Sequence, residues 1–136
     1  MKRTVFAALT AAIVAAAWAC GSSSSNSTAP TPPQGCDSSA TSTTIIIMNN
    51  AVCPSSLTVP QGTQVTFFNQ DSVSHQMYSD PHPEHTDCPE LNQVGNLEPG
   101  QSRQSGNLNT VRTCGFHDHI RPDVAALKGS IKITAR

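Results

Sequence analysis

The sequence predicts an all-β protein, a Greek-key sandwich or barrel formed by residues 37–136. Three observations predict it. Ten prolines and eight glycines accompany only 12% charged residues in a chain of 136, a composition that makes many turns. Short runs rich in β-branched and aromatic residues alternate apolar and polar positions between those turn signals. No stretch repeats apolar residues at the 3.6-residue period of an amphipathic helix. The ordered part is long enough for one domain and too short for two, and it has no internal repeat.

The chain opens with a segment outside that fold. Met1, Lys2 and Arg3 form a short basic start, and Val5 to Trp18 is almost unbroken apolar residue, half of it alanine. This is too short and too alanine-rich for a membrane span and matches a secretory signal. It ends at Ala19-Cys20, the small-residue-then-cysteine pattern of a lipoprotein signal, so residues 1–20 are assigned to the signal and Cys20 to lipidation. Residues 21–36 are a Ser/Pro-rich tether; Gly21 to Gly35 has no hydrophobic residue larger than alanine or proline and cannot join a core. The chain is therefore expected to be exported and held at a bacterial cell envelope by its lipid anchor alone, facing the periplasm or the cell surface.

The strands follow in order. Thr41 to Met48 is rich in β-branched residues and reads as a first strand, and Leu57-Thr58-Val59 alternates before the Pro60-Gln61-Gly62 turn. Gln64 to Asn69 is a strand with Val65 and Phe67 inward. The Asn69-Gln70-Asp71-Ser72 turn leads to a short strand, His75-Gln76-Met77-Tyr78. Asp80 to Leu91 is proline-rich and aperiodic, so it reads as a long loop. Arg103 to Leu108 and Val111 to His117 are strands, Asp123 to Leu127 holds one helical turn, and Gly129 to Thr134 closes the sheet with Ile131 and Ile133 inward. The core is assigned Met48, Met77, Tyr78 and the phenylalanines.

Charge narrows the function. Lys2 and Arg3 aside, six basic residues face nine acidic ones, which argues against nucleic acid as a partner. No nucleophile–base pair, phosphate loop or paired-carboxylate constellation is present. The histidines are the chemistry-bearing residues: His75, His82 and His85 in one group, His117 and His119 in the other. An i, i+2 pair on a strand shares one face, so His117 and His119 point together and Asp118 points away. Neutral imidazole is the commonest protein ligand for transition metals. The two groups are expected to meet at one end of the sandwich and hold an ion. Asp118 and Asp80 are the candidates for orienting a ligand imidazole.

The stretch Leu57 to Phe67, then Asn69-Gln70-Asp71, Ser74-His75, Leu97-Glu98-Pro99-Gly100 and Leu127-Lys128-Gly129-Ser130-Ile131 resembles the cupredoxins over roughly residues 43 to 134. The resemblance implies copper in preference to zinc, with His75 as the first ligand and a redox or copper-transfer protein as partner. Two alignments compete for the rest. One makes Cys114 of Cys114-Gly115-Phe116-His117 the thiolate ligand, with Leu127 in place of a methionine. The other puts Asp118 at the cysteine position and Arg121 at the second histidine. It is similar to a divergent subgroup with a His-Asp-His-x-x-Pro signature, here His117 to Pro122, and a Ser-Asp-Pro-His-Pro loop, here Ser79 to Pro83.

The cysteines bear on that choice. After export the compartment is oxidising, and Cys36, Cys53, Cys88 and Cys114 allow three pairings. Cys88 lies three residues after His85 and Cys114 three before His117, so converging histidines bring these cysteines together. The expected bridges are Cys88–Cys114 and Cys36–Cys53, and the first removes Cys114 from any metal. The leading function is a copper-binding envelope lipoprotein in electron transfer or copper handling. One alternative is a metal-free β-sandwich binding module. Another is a superoxide dismutase-like copper enzyme, because Gly115-Phe116-His117-Asp118-His119 is similar over five residues to the Gly-Phe-His-x-His of that family.

Overall fold

Alternating burial along strands such as Thr44–Met48, Ser56–Pro60 and His75–Ser79 builds two facing sheets. The computed structural model describes residues 43–136. The signal segment (1–20), the tether (21–36) with Cys36, and the start of the first expected strand lie outside the described residues. Among the described residues there are nine strands: β1 (Thr44–Met48), β2 (Ala51–Cys53), β3 (Ser56–Pro60), β4 (Thr66–Asn69), β5 (His75–Ser79), β6 (Gly95–Leu97), β7 (Ser102–Gln104), β8 (Thr113–Asp118) and β9 (Lys128–Thr134). Short 3-10 turns occupy Leu91–Gln93 and Ala125–Leu127. The sheets have the orders β2-β1-β4-β7 and β3-β9-β8-β5-β6, with β1/β4 and β3/β9 parallel and the other pairs antiparallel.

The core forms where the expected inward residues meet. Ile45, Ile47, Leu57, Val59, Val65, Phe67, Ile131 and Ile133 are all buried. Phe67 of one sheet meets Phe116 of the other edge to face, with ring centroids 5.2 Å apart, so this pair bridges the layers. Burying each such side chain stabilises the fold by about 1.5–3 kcal/mol. Met77 lies in this core, whereas Met48 is half-buried.

Two strands carry no sequence signal of their own. β2 and β6 have three residues each and exist because neighbours recruit them. The two-residue link Asn49-Asn50, with φ of 52° and 58°, has the left-handed conformation at both positions that a tight hairpin needs. It folds β2 back on β1 with Met48 opposite Ala51.

One register decides the site. In the β5–β8 pair Met77 faces Asp118, Tyr78 faces His117 and Ser79 faces Phe116. Residues directly opposite share a face, so His75, Met77, Phe116 and Asp118 point into the sandwich. Tyr78, His117 and, one step on, His119 point out from the other side of the same sheet.

Candidate metal centre

The long loop after β5 covers that outer face. Asp80 donates its N–H to the Gly115 carbonyl at 3.0 Å, and Asp87 donates to the Asp80 carbonyl at 2.8 Å. Asn92 ties the loop base, accepting from the Ser79 N–H and donating to the His85 carbonyl. The Cys88–Cys114 disulfide, with Cα atoms 5.7 Å apart, staples the loop to β8. It forms as the spacing of Cys88 and Cys114 to the histidines implied, and it removes Cys114 from the possible ligands. Cys53 is also disulfide-bonded; its expected partner Cys36 lies outside the described residues.

The loop brings His82 and His85 onto His117 and His119. Each of the four offers a ring nitrogen, and these four atoms lie within 4.8 Å of one another. His119 Nδ1 and His85 Nε2 are 3.1 Å apart. Two imidazoles bound to one ion at about 2.0–2.1 Å can be at most about 4.2 Å apart, so the rings must draw together slightly to share one. His117 supplies the more specific observation. Its Nδ1 lies 2.6 Å from Asp80 Oδ1, and a carboxylate only accepts, so in the neutral ring Nε2 carries the lone pair. That Nε2 is buried and has no hydrogen-bond partner among the described residues. An orphaned buried acceptor is costly unless something occupies it, and a cation fits.

Asp80 therefore does for His117 what carboxylates do behind metal-bound histidines: it fixes the tautomer and the orientation of the ring. Gly115 makes this possible, because a Cβ there would fall on the Asp80 carboxylate. Asp80→Asn should weaken metal binding by about ten- to a hundredfold, measured by competition with a chelator. An unchanged affinity would show that the carboxylate is incidental.

His85 is held in an unusual way. Its φ of 55° is left-handed, a region sparsely used outside glycine and typical of functional positions. Its ring stacks on Tyr78 at 4.7 Å and 17° between planes, and Tyr78 also meets His119 edge on at 5.5 Å. Tyr78 is thus a platform under the cluster rather than core. The signal for this was its strand parity, opposite to Met77.

Burial, and then the neighbouring His119, His117 and His82, push the His85 imidazole below its ordinary value. The neutral, ligating form thus persists into mildly acidic solution. By linkage the apo protein loses stability as pH falls below about 6.5 towards the folded value, because there the unfolded chain holds a proton that the folded one lacks. An NMR titration of the apo protein should place His85 below that reference, and a midpoint above it would contradict the geometry.

The expectation that His75 joins His117 and His119 is not met. The β5–β8 register turns His75 to the opposite face, where it is fully buried. Its Nδ1 lies 2.8 Å from Asp118 Oδ2 and its Nε2 3.1 Å from Asp71 Oδ2, so both ring nitrogens are engaged. Asp118 points away from His117 and His119, as their spacing implied, and orients His75 instead of a member of the cluster. Burial alone would push the Asp118 carboxyl up. Hydrogen bonds from His75 and from the Gln76 and Ile120 N–H groups outweigh it and hold the group below the usual carboxylate range.

A purple cupredoxin from Nitrosopumilus maritimus superposes with a TM-score of 0.51 at 22% identity, over 67% of this chain and 98% of that one. Oxidised plastocyanin from Dryopteris crassirhizoma gives 0.52 at 23% identity, over 67% and 99%. An amicyanin variant in its Cu(I) form gives 0.51 at 16%, over 68% and 82%. The fold is that of the cupredoxins. No protein-family model and no curated protein matches the sequence.

His75, Asp118 and Arg121, which the alignment to the His-Asp-His-x-x-Pro subgroup sets at the ligand positions, form an ionic network with one another. Arg121 Nε lies 3.6 Å from Asp118 Oδ2, and its other nitrogens donate to Asn50 Oδ1 and the Ser74 carbonyl. Asp71 completes the network by accepting from the Asn49 and Asn50 N–H groups. Asp71 was missed in the sequence, since nothing local marks a turn aspartate as the partner of a buried histidine. The network stitches the β1–β2 hairpin to the ends of β5 and β8.

Proposed function

We propose that the protein binds copper through His82, His85, His117 and His119 and handles it as cargo at the cell envelope. The observation that carries this is the buried, unpartnered Nε2 of His117, on a ring that has three further imidazoles around it. Imidazole suits both Cu and Zn, and for one site the divalent series favours Cu(II) over Zn(II). The donor set has no thiolate, because Cys114 is in a disulfide. Asp80 keeps the His117 lone pair available, Tyr78 keeps His85 in place, and the sandwich beneath keeps β8 rigid.

Copper handling rather than the electron transfer of a thiolate site is the reading that this donor set favours. Envelope placement rests on residues 1–36, and mass spectrometry of the mature N-terminus tests it, since an unmodified Cys20 removes the anchor. Among the described residues no helix is long and apolar enough to cross a membrane.

Calorimetric titration with Cu(II) and Zn(II), followed by an absorption spectrum, tests the function. One equivalent of tightly bound Cu(II) with pale colour is expected. An intense blue band would require a thiolate ligand and reject the site. No uptake of either ion would leave a metal-free binding module.

A further inference from the structure

We propose that the four histidines are not equivalent, and that His82 is a displaceable ligand whose place is taken by an incoming imidazole, such as a histidine side chain of a copper-accepting partner. The proposal rests on the copper-binding reading. Three of the rings are held by the protein itself. His117 is 1% exposed, springs from the middle of the five-stranded sheet and is tied to Asp80. His85 donates its N–H to the Pro81 carbonyl at 2.7 Å, its carbonyl accepts from Asn92, and its ring lies flat on Tyr78. His119 donates its N–H to the Gln76 carbonyl at 2.7 Å, and the residues around it are locked by Asp118, which accepts from the Gln76 and Ile120 N–H groups.

His82 differs in each respect. It is exposed, while the others are half-buried or buried. Its ring meets those of His85, His117 and His119 at centroid distances of 5.8, 5.3 and 4.8 Å. It makes no side-chain hydrogen bond among the described residues. Three fixed imidazoles thus form the inner wall of the site and His82 closes the solvent side. Ring contacts alone, with no hydrogen bond, hold it there, so rotation about its own side-chain bonds opens the site without disturbing a strand.

The exchange is balanced. One copper–nitrogen bond, to His82, breaks as another, to the incoming neutral imidazole, forms, and no electron or proton moves. The charge of the centre stays constant, so the hand-over needs no co-reactant. Retention and release are then divided between different residues: the inner three hold the ion, and His82 governs access.

The test uses the wild type, His82→Ala and His117→Ala, each loaded with Cu(II) and titrated with free imidazole while the copper EPR spectrum is recorded. His82→Ala should keep one equivalent of copper with affinity reduced by about ten- to a hundredfold. Free imidazole should return its spectrum to the wild-type form, and a chelator should strip it faster than the wild type. His117→Ala should hold no tight copper, with or without imidazole. His82 is exposed, so its removal leaves the fold intact, which circular dichroism checks. If His82→Ala loses copper as completely as His117→Ala, or imidazole leaves its spectrum unchanged, the proposal is overturned. A wild type that takes up no copper would overturn the functional reading itself, a separate result.

Discussion

His119→Ala will bind Cu(II) at least about a thousandfold more weakly than the wild type, a loss of about 4 kcal/mol, whereas His75→Gln will stay within about tenfold. The contrast is between two histidines that the sequence offers alike as metal ligands. His119 Nδ1 sits 3.1 Å from His85 Nε2, on the outer face of the five-stranded sheet, and half-buried. Its loss leaves three imidazoles with one wall of the site missing. His75 is fully buried on the other face, between Asp71 and Asp118, and neither of its nitrogens is available to an ion. Its replacement should appear in the melting temperature and not in the copper isotherm. Calorimetry on both variants, with thermal unfolding of the apo proteins alongside, reads the two effects separately. Equal losses of affinity would return His75 to the metal and dismantle the outer-face site.

The second large effect is on stability. Asp118→Ala should destabilise the apo protein by about 3–5 kcal/mol, the usual result of removing one partner from a buried ionic network. Three donors lose their acceptor at once, the His75 ring and the Gln76 and Ile120 N–H groups, and Arg121 loses an ion-pair partner. The effect depends on pH in a defined direction. The Asp118 carboxyl titrates below its ordinary value in the folded protein. It contributes stability that is fully present above the unfolded value of about 3.9 and is lost as pH falls through the folded value. Denaturant unfolding at neutral pH should therefore show the full difference between wild type and variant, and the gap should narrow as the solution is acidified below pH 4. A gap that stays constant across that range would mean that the network is held by shape and not by charge.

Both predictions turn on what strand parity can and cannot say. Alternation within a strand is local, and the sequence carries it directly. Val65 and Phe67 turn inward, as do Ile131 and Ile133, because each pair sits two residues apart in a run of β-formers. The shared direction of His117 and His119, and the opposite direction of Asp118, follow from the same rule. The Cys88–Cys114 bridge was legible too, because both cysteines stand three residues from histidines that meet.

Which histidines meet was not legible, because that depends on register between strands far apart in the chain. Tyr78 pairs with His117, and a slip of one residue would exchange the faces of β5, turning His75 outward and Tyr78 into the core. No residue near His75 encodes that choice. It is made by the long-range packing of Met77 and Phe116 between the sheets and by the Asp118 network at their end. The loop from Asp80 poses the same problem, since an aperiodic segment shows no preferred direction until its anchors at Gly115, Asn92 and the disulfide are in place. Read alone, the sequence yields a β-sandwich rich in imidazole and the opposed directions of neighbours such as His117 and Asp118, though it set Tyr78 in the core beside Met77. Only the tertiary structure decided that His75 belongs to a buried ionic network while His82, His85, His117 and His119 gather on the outer face, because the faces of paired strands are set by contacts that no local stretch contains.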